Sequence, residues 1–131
     1  TSVAEGIVAA AREIAETTEI KAICCYTQSG TTALLTARER PRVPIIAMTS
    51  LMGTARRLAL SWGTNCVMSG PKKRFKEAVV SAVRAALSEG YAAAEDQVVI
   101  TAGVPFNIPG TTNILRVAPC DERMIYSTDP E

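Results

Sequence analysis

The sequence predicts an α/β domain, a three-layer αβα sandwich around a five-stranded, mostly parallel sheet with one antiparallel edge strand. Three observations carry this. Segments with helical apolar spacing alternate along the chain with short apolar runs, the pattern of strand–helix–strand units. Those runs are apolar nearly throughout, as strands covered on both faces require. Hydrophobic residues make up 47% of the chain but aromatics only 5%, so the core must be built from Ala, Val, Ile and Leu, which suits helices laid on a sheet.

The elements follow in order. Ser2 to Thr17 reads as a helix, with Ser2 and Glu5 spaced as a capping box and an apolar stripe of Val3, Ile7, Ala10, Ile14 and Ala15. Ile20 to Tyr26 is a buried strand that ends at the turn-prone stretch Thr27-Gln28-Ser29-Gly30. A second helix starts at Thr31 or Thr32 and runs to about Glu39, with Pro41 stopping it. Val43 to Met48 is the second strand. Ser50 is expected to cap a third helix through Ser61, ended by Gly63 in a left-handed conformation. Asn65 to Met68 is a third strand. Lys72 to Ser88 is the longest helix, with Phe75, Ala78, Val79, Ala82, Val83, Ala86 and Leu87 on one face and Gly90 just past its end. Gln97 to Thr101 and Ile114 to Ala118 are the last strands. No helix separates them, so the fifth should run against the others at an edge. Residues 1–131 thus form a single domain, with 119–131 expected as a polar, flexible tail.

Composition narrows the function. The 14 basic and 13 acidic residues leave a net charge of +1, which offers no surface for nucleic acid or for an anionic membrane. The absence of histidine excludes Ser-His-Asp and Cys-His catalysis within this chain. Cys24, Cys25, Cys66 and Cys120 include no CxxC pair, so no metal site is expected; they read as reduced thiols, three of them in apolar runs, of a cytoplasmic protein. No run approaches the roughly 20 apolar residues of a membrane span, and no signal peptide is visible. The start at Thr1 reads as a processed product or a piece of a longer protein. Most of the acidic residues fall on outer helix faces, and no pair of them can be named as acid and base, so no catalytic residue is nominated. The basic run Lys72-Lys73-Arg74 and Lys76 reads as the solvated start of a helix.

In open sheets ligands sit beyond the carboxyl ends of strands, where strand order reverses. Two segments meet that description, Thr27-Gln28-Ser29-Gly30-Thr31-Thr32 after the first strand and Gly103 to Asn113 after the fourth. If those two strands are neighbours, the loops face each other. The first loop suits a phosphate or similar oxyanion. Gly30 permits a tight turn, Thr27, Ser29, Thr31 and Thr32 offer hydroxyls, and the following helix aims its free N–H groups at the same spot. The same residues could equally serve as ordinary caps, and no basic residue lies in the loop. Neither loop contains GxGxxG or GxxxxGK[ST].

Lys21-Ala22-Ile23, Thr27 to Ala33, Arg40 to Thr49 (RPRVPIIAMT), Val98 to Pro105 (VVITAGVP) and Pro109 to Asn113 (PGTTN), in this order and spacing, resemble the C-terminal domain of pyruvate kinase, bacterial type. The likeness runs from about residue 2 to 118. It implies a regulatory and oligomerisation domain of an enzyme that converts phosphoenolpyruvate and ADP to pyruvate and ATP in glycolysis. The substrates, Mg²⁺ and K⁺ belong to a catalytic barrel that this chain lacks, since such a barrel takes about 250 residues. Expected partners are that barrel, other copies in a homo-oligomer, and a phosphorylated effector. The resemblance carries phosphate binding onto Thr27, Ser29, Gly30 and Thr32, with Gln28 and Thr31 in the variable positions of the loop, and onto Gly110, Thr111 and Thr112 of the second loop. Thr31 stands where some sugar-bisphosphate-regulated members have arginine, and Gln28 where some have lysine; both changes remove positive charge, which counts against fructose 1,6-bisphosphate and leaves a sugar monophosphate, AMP or no effector. Gly30→Trp is expected to block the loop. The alternatives are a stand-alone phosphometabolite-binding protein of the same fold without kinase activity, and a purely structural interaction domain.

Overall fold

A computed structural model describes residues 2–61, 63–104, 106 and 112–130. The order is α1 (Val3–Thr17), β1 (Ile23–Tyr26), α2 (Thr31–Arg38), β2 (Ile45–Thr49), α3 (Met52–Leu58), β3 (Thr64–Met68), α4 (Phe75–Ser88), β4 (Gln97–Ala102), β5 (Ile114–Pro119) and α5 (Glu122–Thr128). The strands form one sheet in the order β3-β2-β1-β4-β5. β1 pairs in parallel with β2 (Cys24 opposite Ile46) and with β4 (Cys24 opposite Ile100). β5 runs antiparallel to β4, with Ile100 opposite Arg116. The predicted α/β class, the parallel sheet and its antiparallel edge are all present.

Each face of the sheet carries its own core, because alternate residues of a strand point to opposite sides. On one face Ala22, Cys24 and Tyr26 of the β1 segment join Ile46, Ile100, α4 and Ile125 of α5. On the other, Ile23 and Cys25 join Ile45, Val99, Ala11 and Ala15 of α1, Ala33 and Ala37 of α2 and Leu58 of α3. The three layers are helices, sheet and helices. The central strands β1 and β2 are buried at every position, which accounts for their unbroken apolar runs.

Four local expectations differ from the structure. The capping box at Ser2 and Glu5 is present, but the buried stripe of α1 is Ala4, Val8, Ala11 and Ala15, while Val3 is exposed. Small alanines win this face because they let the helix approach the sheet. Ser50 does not cap α3. Its hydroxyl accepts a bond from Gln28 Nε2 at 2.8 Å, and the helix begins two residues later behind Leu51, with no side-chain cap. The last helix but one begins at Phe75, behind an extended Arg74, so Lys72 and Lys73 precede it.

The fourth difference is the carboxyl end. In place of a flexible tail, Asp121 caps α5 by accepting bonds from the N–H groups of Arg123 and Met124. Ile125 is fully buried. Arg84 bonds Glu122 at 2.7 Å, Lys76 donates to the carbonyl of Tyr126 at 2.8 Å, and Arg116 holds Asp129 through two bonds. Lys76, Val80 and Arg84 form one row of α4, and α5 lies along it. That is why Val80 is buried although it lies off the predicted apolar face.

Cys24, Cys25 and Cys120 are buried, Cys66 is half-buried, and all four are free thiols. Burial raises the pKa of each, which holds them in the protonated form. Among the described residues no cluster of metal-ligating side chains occurs, and no helix is long and apolar enough to cross a membrane.

Candidate functional site

β1 and β4 are neighbours, so the chain's connections diverge between them and a crevice opens at their carboxyl ends. The segment after β1 forms one wall. Gly30 takes φ +89° and is the residue from which α2 starts. A side chain there would press Thr54 Cγ2 at 3.3 Å and Leu58 Cδ2 at 3.4 Å. Both the backbone angle and the packing therefore ask for glycine. This removes Gly30→Trp as a probe of ligand binding, since the variant would disrupt the loop itself.

The four hydroxyls of the loop separate into two kinds. Thr27 and Thr32 are buried. Thr27 Oγ1 accepts the N–H of Gly30 at 2.9 Å, and Thr32 Oγ1 hydrogen-bonds Thr112 Oγ1. Ser29 and Thr31 are exposed. Ser29 Oγ donates to Thr31 Oγ1 at 3.1 Å and accepts the N–H of Thr31 at 3.3 Å. That bond takes up the N–H of Thr31; the N–H groups that follow it in the first turn of α2 have no partner within their own helix. No acidic residue lies in that turn, so the positive end of the helix is uncompensated.

Gln28 is exposed but bonded through both its side-chain amide and its carbonyl. Its Oε1 accepts from Thr49 Oγ1 at 3.0 Å and from the N–H of Ser50 at 3.2 Å, and its Nε2 donates to Ser50 Oγ. Its carbonyl accepts from Thr54 Oγ1 at 2.6 Å. The side chain fastens the loop to the corner between β2 and α3.

A cation that the sequence does not place at the loop arrives from α3. Arg57 Nη2 donates to the carbonyl of Ser29 at 2.6 Å and lies 3.4 Å from Thr54 Oγ1. The helical spacing of Thr54, Arg57 and Leu58 marks one face of α3, but which loop that face meets depends on β2 lying beside β1.

The second wall follows β4. Asn113 clamps its base, accepting the N–H of Val104 at 2.9 Å and donating to the Val104 carbonyl at 2.7 Å. Phe106 packs edge-on against Tyr26 of β1, with ring centroids 5.2 Å apart. Thr112 meets Thr32. Gly110 and Thr111 lie outside the described residues. The crevice thus brings together Thr27, Gln28, Ser29, Gly30, Thr31, Thr32 and Thr112. Among the described residues the loop offers hydroxyls, N–H groups and the guanidinium of Arg57, the kinds of donor that suit an oxyanion, and no nucleophile–base pair. A separate cleft of about 450 Å³ lies at the opposite end of the sheet, beside Pro44, Asn65 and Tyr91, and holds none of the predicted site residues.

Comparison with known proteins agrees with this architecture. The family model described as pyruvate kinase, alpha/beta domain, matches residues 5–118. A pyruvate kinase of Methylorubrum extorquens is 40% identical over 114 residues, covering 87% of this chain and 24% of that protein. One of Clostridium acetobutylicum is 42% identical over 99 residues, covering 76% and 21%. The chain therefore spans about a quarter of the length of the curated relatives it matches. A crystal structure of a pyruvate kinase from Cryptosporidium parvum superposes with a TM-score of 0.83 at 26% identity, over 92% of this chain and 23% of that one.

Proposed function

The chain belongs to the pyruvate kinase α/β-domain family, and from that premise we propose that it is the regulatory and assembly domain of a cytoplasmic pyruvate kinase, taking a phosphorylated effector at the loop from Thr27 to Thr32. Catalysis, with its Mg²⁺ and K⁺, would belong to the barrel of the same polypeptide. The observation that supports the effector reading is the left-handed Gly30, from which α2 starts behind β1 with an uncompensated amino end, beside the exposed hydroxyls of Ser29 and Thr31. A phosphate placed there meets donors from backbone, hydroxyl and dipole together. Gln28 is tied to Ser50 and Thr49, and Arg57 is the cation bonded to the loop. That inventory suits one phosphate, as in AMP or a sugar monophosphate, better than two. Bound effector would favour one arrangement of domains and subunits through its differential affinity for the two states.

The test uses the full-length polypeptide. Phosphoenolpyruvate saturation curves are measured with AMP, glucose 6-phosphate and fructose 1,6-bisphosphate, for the wild type and for Ser29→Asp. Aspartate still accepts the N–H of Thr31 but sets a negative charge where the phosphate would lie. A monophosphate should shift the curve, and Ser29→Asp should weaken that effect about tenfold or more with an unchanged melting temperature. No shift with any of the three compounds, or an unaffected Ser29→Asp enzyme, overturns the reading.

A further inference from the structure

Arg57 is exposed on the surface of α3, yet its guanidinium is bonded to the loop. Nη2 donates to Ser29 O and approaches Thr54 Oγ1, while Thr54 itself holds the carbonyl of Gln28. A guanidinium carries five N–H donors in a rigid fork. Among the described residues the bonds of Arg57 engage Nη2 alone, so Nε and Nη1 remain available. No carboxylate forms an ion pair with Arg57 among the described residues, and neither α3 nor the first turn of α2 carries an acidic side chain. An un-neutralised cation therefore lies against the loop at Ser29, the residue just before the cap of α2, whose amino end is positive.

We propose that Arg57 is the specificity-determining cation of the effector site, the residue that makes the loop prefer a doubly charged phosphate monoester to a singly charged or neutral ligand. This rests on reading the loop as an oxyanion site. The bond to Ser29 O holds the guanidinium beside the loop before ligand arrives, so little side-chain freedom is lost on binding. The free donors of the fork then face the phosphate oxygens, and the charge adds to the α2 dipole.

The probe is inorganic phosphate, titrated calorimetrically into the full-length enzyme at two ionic strengths. Arg57→Gln removes the charge and keeps a donor, Arg57→Lys keeps the charge and loses the fork, and Arg56→Gln removes the neighbouring exposed charge, which has no bond to the loop among the described residues. Phosphate affinity should fall about tenfold in Arg57→Gln, recover in part in Arg57→Lys and stay within about twofold in Arg56→Gln. The dependence of affinity on salt should also flatten in Arg57→Gln, because one charge fewer is screened. A loss of affinity with the salt dependence unchanged would mean that Arg57 only braces Ser29, and overturns the proposal. Unchanged affinity in Arg57→Gln overturns it as well. Absence of phosphate binding by the wild type would instead remove the oxyanion site itself.

Discussion

Thr32 and Thr112, 80 residues apart in sequence, share a hydrogen bond between their buried hydroxyls. The bond joins the first turn of α2 to the strand end that closes the second loop, so the two walls of the crevice are linked at their base. Thr36 Oγ1 continues the contact inward by donating to the Thr32 carbonyl at 2.8 Å, and it meets Cys25 Sγ at 3.5 Å.

Replacing Thr112 with valine keeps the shape and strands the Thr32 hydroxyl without its partner. The expected loss of stability is about 1–3 kcal/mol, read from urea unfolding. Thr112→Ser should retain most of the stability. The double variant Thr32→Val with Thr112→Val should lose less than the two single losses added together, because both partners leave at once. Strictly additive losses would show that the hydrogen bond contributes nothing.

Gly30→Ala should destabilise the domain by about 1–2 kcal/mol, because φ +89° is unfavourable for any side chain and the new Cβ lies against Thr54 and Leu58. Gly6→Ala makes the contrast. Gly6 lies within α1 with nothing near its missing Cβ, and alanine there should stabilise by about 0.5–1 kcal/mol. Equal melting temperatures for the two variants would contradict this account of the loop.

Arg116 on β5 holds Asp129 through Nε–Oδ2 at 3.1 Å and Nη2–Oδ1 at 2.6 Å. The hydrogen bond from Arg116 is the main reason that the Asp129 carboxyl titrates below its ordinary value. A lowered folded-state pKa stabilises the fold above the unfolded value and loses that stabilisation as pH falls through the folded one. Asp129→Asn should therefore be less stable than the wild type by about 1–2 kcal/mol at pH 7. The gap should begin to close below about pH 4 and vanish in stronger acid. Urea unfolding across that range reads it directly, and a gap independent of pH would rule out the ion pair as its source.

The sheet was legible in the sequence because burial on both faces leaves an unmistakable mark. Ile45 to Met48 has no polar position to interrupt it, and the helix-free connection before Ile114 leaves an antiparallel edge as the easy solution. The left-handed glycines at 30, 63 and 90 sit at the turns where the chain pattern calls for them. The helix at Glu122–Thr128 was not legible. Its seven residues carry one buried side chain, Ile125, and its remaining anchors, Arg84, Lys76 and Arg116, lie on other elements.

For the candidate site the division is sharper. Sequence alone determined which loop begins a helix at the end of a central strand, because Gly30 and its hydroxylated neighbours are contiguous and their local physics needs no partner. Only the tertiary structure decided what each side chain does there. It turned Thr27 and Thr32 inward, engaged Gln28 with Ser50, and brought Arg57 from α3 to Ser29. Those outcomes depend on β2 lying beside β1 and β5 beside β4. Strand adjacency is set by how the whole sheet buries its two faces, and contacts across 22 to 80 residues leave no periodic signal along the chain.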